Sequence, residues 1–122
     1  DTVEVSYQLT VAILTLNERE NILRLIPKLR QSVESMGIPY EILVVDGNSS
    51  DGTDEAARSL GCRVISQSRK GYAEALKEAF NSAQGQWIAT LDADYSHDPQ
   101  FLIHLWAARG AADLMVASRY IG

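Results

Sequence analysis

A chain of 122 residues has room for one folded domain with a real core, and 46% hydrophobic with 22% charged residues is a balance that excludes disorder or a fibrous repeat. A formal charge of −5 argues against a nucleic-acid-binding surface, which needs clustered Lys and Arg, but leaves room for an anionic ligand held through a divalent cation. The single Cys62 excludes an internal disulfide and, without Cys or His at ligand spacing, gives no support for structural zinc.

No apolar run approaches the roughly 18 residues of a membrane span, and no basic segment followed by an apolar one opens the chain. The expected setting is cytoplasmic, with peripheral contact to a membrane as an option.

In chain order, Leu9 to Leu16 (LTVAILTL) is a nearly continuous apolar run, as in a strand buried on both faces of a parallel sheet. Asn17 ends it, and Asn17 with Glu20 resembles a capping box for a helix carrying Ile22, Leu25, Ile26, Leu29 and Val33 at helical spacing. Pro27 predicts a kink or a late start in that helix, and Gly37 its end.

Tyr40 to Val45 reads as a second strand, followed by the polar loop Asp46 to Thr53. The pattern then predicts a helix over Asp51 to Leu60 closed by Gly61, a strand over Cys62 to Ser66, and a helix over Gly71 to Ala83 with Ala73, Leu76, Ala79 and Phe80 on one face. Gln86 to Leu91 is the next strand, Pro99 to Ala108 a fourth helix, and Asp113 to Ala117 a last strand. Five strands alternating with four helices imply right-handed crossovers and an open, mostly parallel α/β sheet with helices on both faces. Ligands of such sheets bind outside the carboxyl ends of the strands, where Asn17-Glu18, Asp46 to Thr53, Asp92 to Asp98 and Ser118-Arg119 fall.

Asp92 and Asp94 lie two apart at a strand end, so an extended backbone points both to one side. Two such carboxylates repel unless donors or a cation intervene, and Mg²⁺ or Mn²⁺ with a diphosphate would satisfy them. The same spacing also suits a helix cap with backbone hydrogen bonds. Asp46 can accept the N–H of a nucleobase, with Gly47 leaving room for a flat ring, whereas Asp51 before Gly52 and Thr53 reads as a cap or turn residue.

The segments TLNERENI, VVDGNSSDGT, RKGYAEAL, LDADYSHDP and SRY, in this order, resemble the nucleotide-sugar half of inverting GT-A glycosyltransferases of glycosyltransferase family 2, notably the dolichol- or polyprenol-phosphate mannose synthase type. The resemblance spans residues 9 to 120. It implies a Rossmann-like nucleotide-binding half, transfer of a sugar from a UDP- or GDP-linked donor to an acceptor such as a polyprenyl phosphate, and assistance by Mg²⁺ or Mn²⁺. By position it implies Asp94 as principal metal ligand, Asp92 on the metal or the ribose, and Ser96 where relatives supply a further metal contact. It likewise implies Asp46 as base reader, Thr15 and Glu18 in the nucleoside pocket, Arg69 near the nucleotide and Arg119 facing phosphates. Asp92, Asp94 and Arg119 are thus the expected catalytic set.

The chain departs from that family where two consecutive aspartates are common and it has Asp46-Gly47, and where Pro and Tyr are common and it has Leu14 and Leu16. The family's catalytic domain continues past the SRY segment into an acceptor-binding part, so residues 1–122 are expected to be a single nucleotide-sugar-binding domain without it. The rival reading is a non-catalytic or truncated sugar-nucleotide-binding module. A phosphorylated receiver domain would need an acidic pair after the first strand and a lysine after the last, where Asn17-Glu18 and Ser118-Arg119 stand.

Among smaller signals, His97 reads as a loop or cap residue and His104 has no metal partner at helical spacing. Trp87 and Trp106 suit a core or a subunit contact, and Lys70-Gly71 a small anion site or a turn. The sheet edge near Asp113 to Ala117 is the expected surface for homo-oligomer formation.

Overall fold

A computed structural model describes residues 7–93, Ile103, Trp106 and Ala107, together with the backbone of residues 114–116. Five parallel strands form one sheet: β1 (Tyr7–Thr15), β2 (Tyr40–Asp46), β3 (Arg63–Ser66), β4 (Gly85–Asp92) and β5 (Leu114–Val116), in the order β3-β2-β1-β4-β5. Parallel neighbours require crossovers. Three are helices: α1 (Arg19–Glu34), α2 (Thr53–Ser59) and α3 (Tyr72–Ser82). The predicted fourth helix falls largely outside the described residues, although Ile103, Trp106 and Ala107 are helical.

Strand alternation divides the core. Leu9, Val11 and Ile13 of β1 with Ile42 and Val44 of β2 face α1 and α2, where they meet Ile22, Leu25, Ile26, Leu29, Val33, Ala56 and Ala57. Ala12, Leu43 and Val45 face the opposite way and meet Ala75 and Ala79 of α3. Helices therefore cover both sides of the sheet, as the unbroken apolar strand sequences require.

Helix α1 starts at Arg19 and runs unbroken through Pro27, against the expectation of a late start. Four of its side chains, Ile22, Ile26, Leu29 and Val33, are fully buried. At about 1.5–3 kcal/mol each, their burial outweighs the roughly 3 kcal/mol cost of an interior proline. Pro27 itself is exposed, on the solvent side where helical hydrogen bonds are longest.

The predicted apolar face of α3 needs correction. Ala75 and Ala79 are the buried pair, one turn apart, while Ala73 is exposed and Phe80 is 40% exposed. Small side chains let α3 lie close to the sheet, and that packing outranks the larger Phe80 in choosing the face.

The amino-terminal end of the sheet is held by a buried carboxylate. Glu41 accepts hydrogen bonds from the Thr10 hydroxyl at 2.7 Å, Arg63 Nε at 3.0 Å and the Gln84 N–H at 2.7 Å. The Thr10 hydroxyl in turn accepts the Gly85 N–H at 2.9 Å. Burial opposes the charge on Glu41, yet the Arg63, Thr10 and Gln84 hydrogen bonds hold its carboxyl below the usual range. Gly85 has no room for a side chain, since a Cβ there would stand 2.5 Å from the Thr10 nitrogen.

Candidate functional site

The strand order reverses at β1: the chain winds outward through β2 and β3, then returns to the other side of β1 with β4. Such a switch point leaves a crevice at the carboxyl ends of the two central strands. A cavity of about 740 Å³ occupies that position, lined among others by Leu14, Thr15 and Glu18 from the β1 end, Gly47 from the β2 end and Asp92 from the β4 end. The segment after β3 completes the wall with Gln67, Arg69, Lys70 and Tyr72.

The rim is built by capping. At its carboxyl end β1 gives way to Asn17, whose φ of 52° lies in the left-handed region that Asn tolerates. The Asn17 N–H donates to Ser49 Oγ at 2.7 Å, and its Oδ1 accepts the Ser50 N–H at 2.8 Å. The Glu18 N–H donates to Thr53 Oγ1 at 2.9 Å and the Arg19 N–H to Asp51 Oδ2 at 3.2 Å. Asp51 also accepts the Thr53 N–H at 3.0 Å, so one carboxylate caps the first turns of both α1 and α2. The Thr53 hydroxyl, ahead of the Arg19 and Thr53 amides, holds the Asp51 carboxyl below its usual range. The capping-box expectation is corrected accordingly: Glu18 occupies the N-cap position of α1 without a side-chain cap bond, and the Glu18 and Arg19 amides bond to Thr53 and Asp51 instead. Asp51 caps as its sequence context predicts.

Thr15, Glu18, Arg69 and Asp92, four of the expected site residues, line this one cavity. Asp92 stands opposite Leu14 in the β1–β4 register and shares the α3 side of the sheet with Ile88. Its negative charge, after burial, helps push the Tyr72 phenol above its ordinary pKa. Glu18 accepts the Asn21 side-chain N–H at 2.6 Å. Cationic Arg69 and Lys70 line the same cavity as acidic Glu18 and Asp92, a charge set that can take both an anion and a cation or polar donors.

Asp46 is placed differently. It shares the parity of Ile42 and Val44, which face α1 and α2, and is only 2% exposed. Its carboxylate accepts the Thr15 hydroxyl at 2.8 Å, the Ser49 N–H at 2.8 Å and the Ser49 hydroxyl at 2.6 Å. The cavity wall at this point is its neighbour Gly47. Asp94, Ser96, His97, His104 and Arg119 lie outside the described residues.

For a divalent metal, Asp92 brings one carboxylate to the cavity wall, which suits Mg²⁺ or Mn²⁺ in sites completed by phosphate oxygens and water. Among the described residues no group of three or more His, Cys, Asp and Glu side chains converges on a metal position.

Gln67 and Tyr72 are lining residues that strand and helix patterns did not single out. Gln67 directly follows the last residue of β3, so the strand-end rule that selected the other loops also selects it. Tyr72, 56% exposed, opens α3 inside the quoted RKGYAEAL segment.

The geometry agrees with comparison to known proteins. The chain is 34% identical over 120 residues to a dolichol-phosphate mannosyltransferase from Pyrococcus furiosus, covering 93% of this chain and 34% of that protein. It is 36% identical over 121 residues to the low-salt glycan biosynthesis hexosyltransferase Agl6 from Haloferax volcanii, covering 98% of this chain and 29% of that protein. The chain therefore spans about a third of the length of these curated relatives. Among solved structures, glucosyl-3-phosphoglycerate synthase from Mycobacterium tuberculosis, in complex with Mn²⁺, UDP and glucosyl-3-phosphoglycerate, superposes with a TM-score of 0.70 at 25% identity, covering 83% of this chain and 39% of that one. The fold expected from the sequence, the nucleotide-binding half of a GT-A glycosyltransferase, is the fold observed. The profile described as Glycosyl transferase family 2 matches residues 10–121, and the chain belongs to that family.

Proposed function

We propose that the chain is the donor-binding part of a metal-assisted, inverting glycosyltransferase that takes a sugar from a UDP- or GDP-linked donor. The observation that carries this reading is the cavity at the switch point, where Thr15, Glu18, Arg69 and Asp92 meet. Thr15 and Glu18 would flank the nucleoside and Arg69 would lie near the nucleotide. Asp92, with Asp94 and Ser96, would hold Mg²⁺ or Mn²⁺, and Arg119 would face the phosphates. Bound there, the ion would neutralise charge gathering on the departing diphosphate.

In the transfer, an acceptor oxygen forms a bond to the anomeric carbon from the face opposite the diphosphate. The bond from that carbon to the diphosphate breaks, and its electron pair leaves with the nucleotide. A polyprenyl phosphate acceptor, supported by the similarity to the Pyrococcus mannosyltransferase, is already an oxyanion and needs no general base. A hydroxyl acceptor would need one.

Residues 1–122 are read as one sugar-nucleotide-binding domain, and they span about a third of the length of the curated relatives. The second reading is a module that binds sugar nucleotides without turning them over. No helix among the described residues is long and apolar enough to cross a membrane. The proposed setting is cytoplasmic, at a membrane surface when the acceptor is a lipid phosphate. Self-association through the β5 edge belongs to the same proposal and would appear as concentration-dependent sedimentation.

Calorimetric titration with UDP, GDP and their sugar conjugates, with and without Mn²⁺, tests the function. Metal-assisted nucleotide binding is expected, and sugar transfer or donor hydrolysis separates the enzyme from the module. A chain that bound neither nucleotide would overturn both.

A further inference from the structure

We infer that the side-chain carbonyl of Gln67 accepts the ring N–H of the donor's nucleobase, uracil N3–H or guanine N1–H, and so sets base specificity; the inference rests on the nucleotide reading above. The Gln67 amide has a fixed orientation. Its Nε2 donates both hydrogens to one turn, to the Arg69 carbonyl at 2.8 Å and the Gly71 carbonyl at 3.2 Å. Its backbone is pinned as well, with the N–H donating to the Asp46 carbonyl at 2.8 Å and the carbonyl accepting Asn48 Nδ2 at 3.2 Å. With both amide hydrogens committed, the end left over is Oε1, an acceptor.

That oxygen lies against Gly47. A Cβ at position 47 would stand 3.1 Å from Gln67 Oε1, so the missing side chain is what clears the space around it. Gly47 and Gln67 line the same cavity, and among the described residues no donor is bonded to Oε1. Asp46, the acceptor expected for the base, is buried, is not among the residues lining this cavity, and already takes three donors. An acceptor next to a glycine opening is suited to the edge of a flat ring and selects rings that carry an N–H there.

The test is a thermodynamic cycle between side chain and ligand. UDP, N3-methyl-UDP, GDP and N1-methyl-GDP are titrated into the wild type and into Gln67→Met, which keeps the length and removes the carbonyl. Methylation is expected to weaken the wild type's preferred nucleotide about 3- to 10-fold, the scale of one neutral hydrogen bond. Gln67→Met should lose as much for the parent nucleotide and show no further loss on methylation.

Gly47→Ala is the second variant, because its φ lies outside the left-handed region and its Cβ would press on Oε1 without removing the Gln67 amide. It should weaken the parent nucleotide about 2- to 5-fold and shrink the methylation effect. Equal binding of parent and methylated nucleotides by the wild type would overturn the inference while leaving the nucleotide site intact. So would a methylation loss as large in Gln67→Met and Gly47→Ala as in the wild type. Absence of any UDP or GDP binding would overturn the nucleotide reading and this inference with it.

Discussion

Thr15 and Asp46 stand directly opposite each other in the β1–β2 register, and the Thr15 hydroxyl donates to Asp46 Oδ1 at 2.8 Å. The pair joins the carboxyl ends of two central strands at the cavity, which Thr15 lines. Thr15→Val removes one of the donors to a buried carboxylate and is expected to cost about 1–3 kcal/mol in denaturant unfolding.

The same substitution should have the opposite sign one strand away. Thr90 is 2% exposed, and among the described residues its hydroxyl has no hydrogen-bond partner. Thr90→Val keeps the shape and deletes a desolvated polar atom, so it should leave stability unchanged or raise it by about 1 kcal/mol. A loss above 1 kcal/mol in the same unfolding assay would reveal a partner for that hydroxyl.

At the opposite end of the sheet, Arg63→Met leaves Glu41 buried without its cation and should destabilise the fold by about 3–5 kcal/mol. The folded-state pKa of Glu41 is depressed, so its contribution is present above the ordinary value of 4.5 and fades as pH falls through the lower folded value. Stability curves of the wild type and Glu41→Gln should therefore converge below pH 4.5 and separate above it.

Two glycine substitutions should rank clearly. A Cβ at Gly85 would meet the Thr10 nitrogen at 2.5 Å and the Leu9 carbonyl carbon at 2.7 Å, both backbone atoms that cannot swing aside. Gly85→Ala is expected to cost about 3 kcal/mol, whereas Gly37→Ala, with φ of +68° and open space around it, should cost about 1–2 kcal/mol in backbone strain alone. Thermal unfolding of the two variants checks the order.

At the candidate site, Asp92→Asn should lower nucleotide affinity in the presence of Mn²⁺ by about 10-fold or more and have little effect in its absence, if the carboxylate acts through the ion. Arg69→Ala should lower affinity about 10-fold with or without metal, because a guanidinium acts on the ligand directly. Calorimetry with and without a chelator distinguishes the two patterns.

Much of the fold was legible because local patterns and tertiary packing agree. LTVAILTL and YEILVV are apolar on both faces, and the structure buries both faces of β1 and β2. Misreadings arose where a distant segment decides. The amides of Asn17, Glu18 and Arg19 that lead into α1 bond to Ser49, Thr53 and Asp51, more than thirty positions away, so no local box could announce them. Of the buried pair on α3, Ala79 was expected and Ala75 was missed, because the larger Phe80 weighted the apolar pattern toward its own side. Of the candidate site, Glu18 and Asp92 fall in the strand-end loops, whereas Thr15 and Arg69 were expected only from the family resemblance; all four line the cavity. Gln67 escaped because its meaning depends on the absent side chain of Gly47.

Strand β1 lies at the middle of the sheet but is made first, and its partner on one side, β4, comes much later: Thr10 and Gly85, which share a hydrogen bond, are 75 residues apart. During synthesis the backbone edge of β1 that will meet β4 therefore has no native partner until the chain has been extended through residue 92. Nascent forms shorter than that would present a bare apolar strand edge, a template for pairing with other chains. The wide separation predicts slow closure of the sheet and a need for chaperone shielding while translation proceeds.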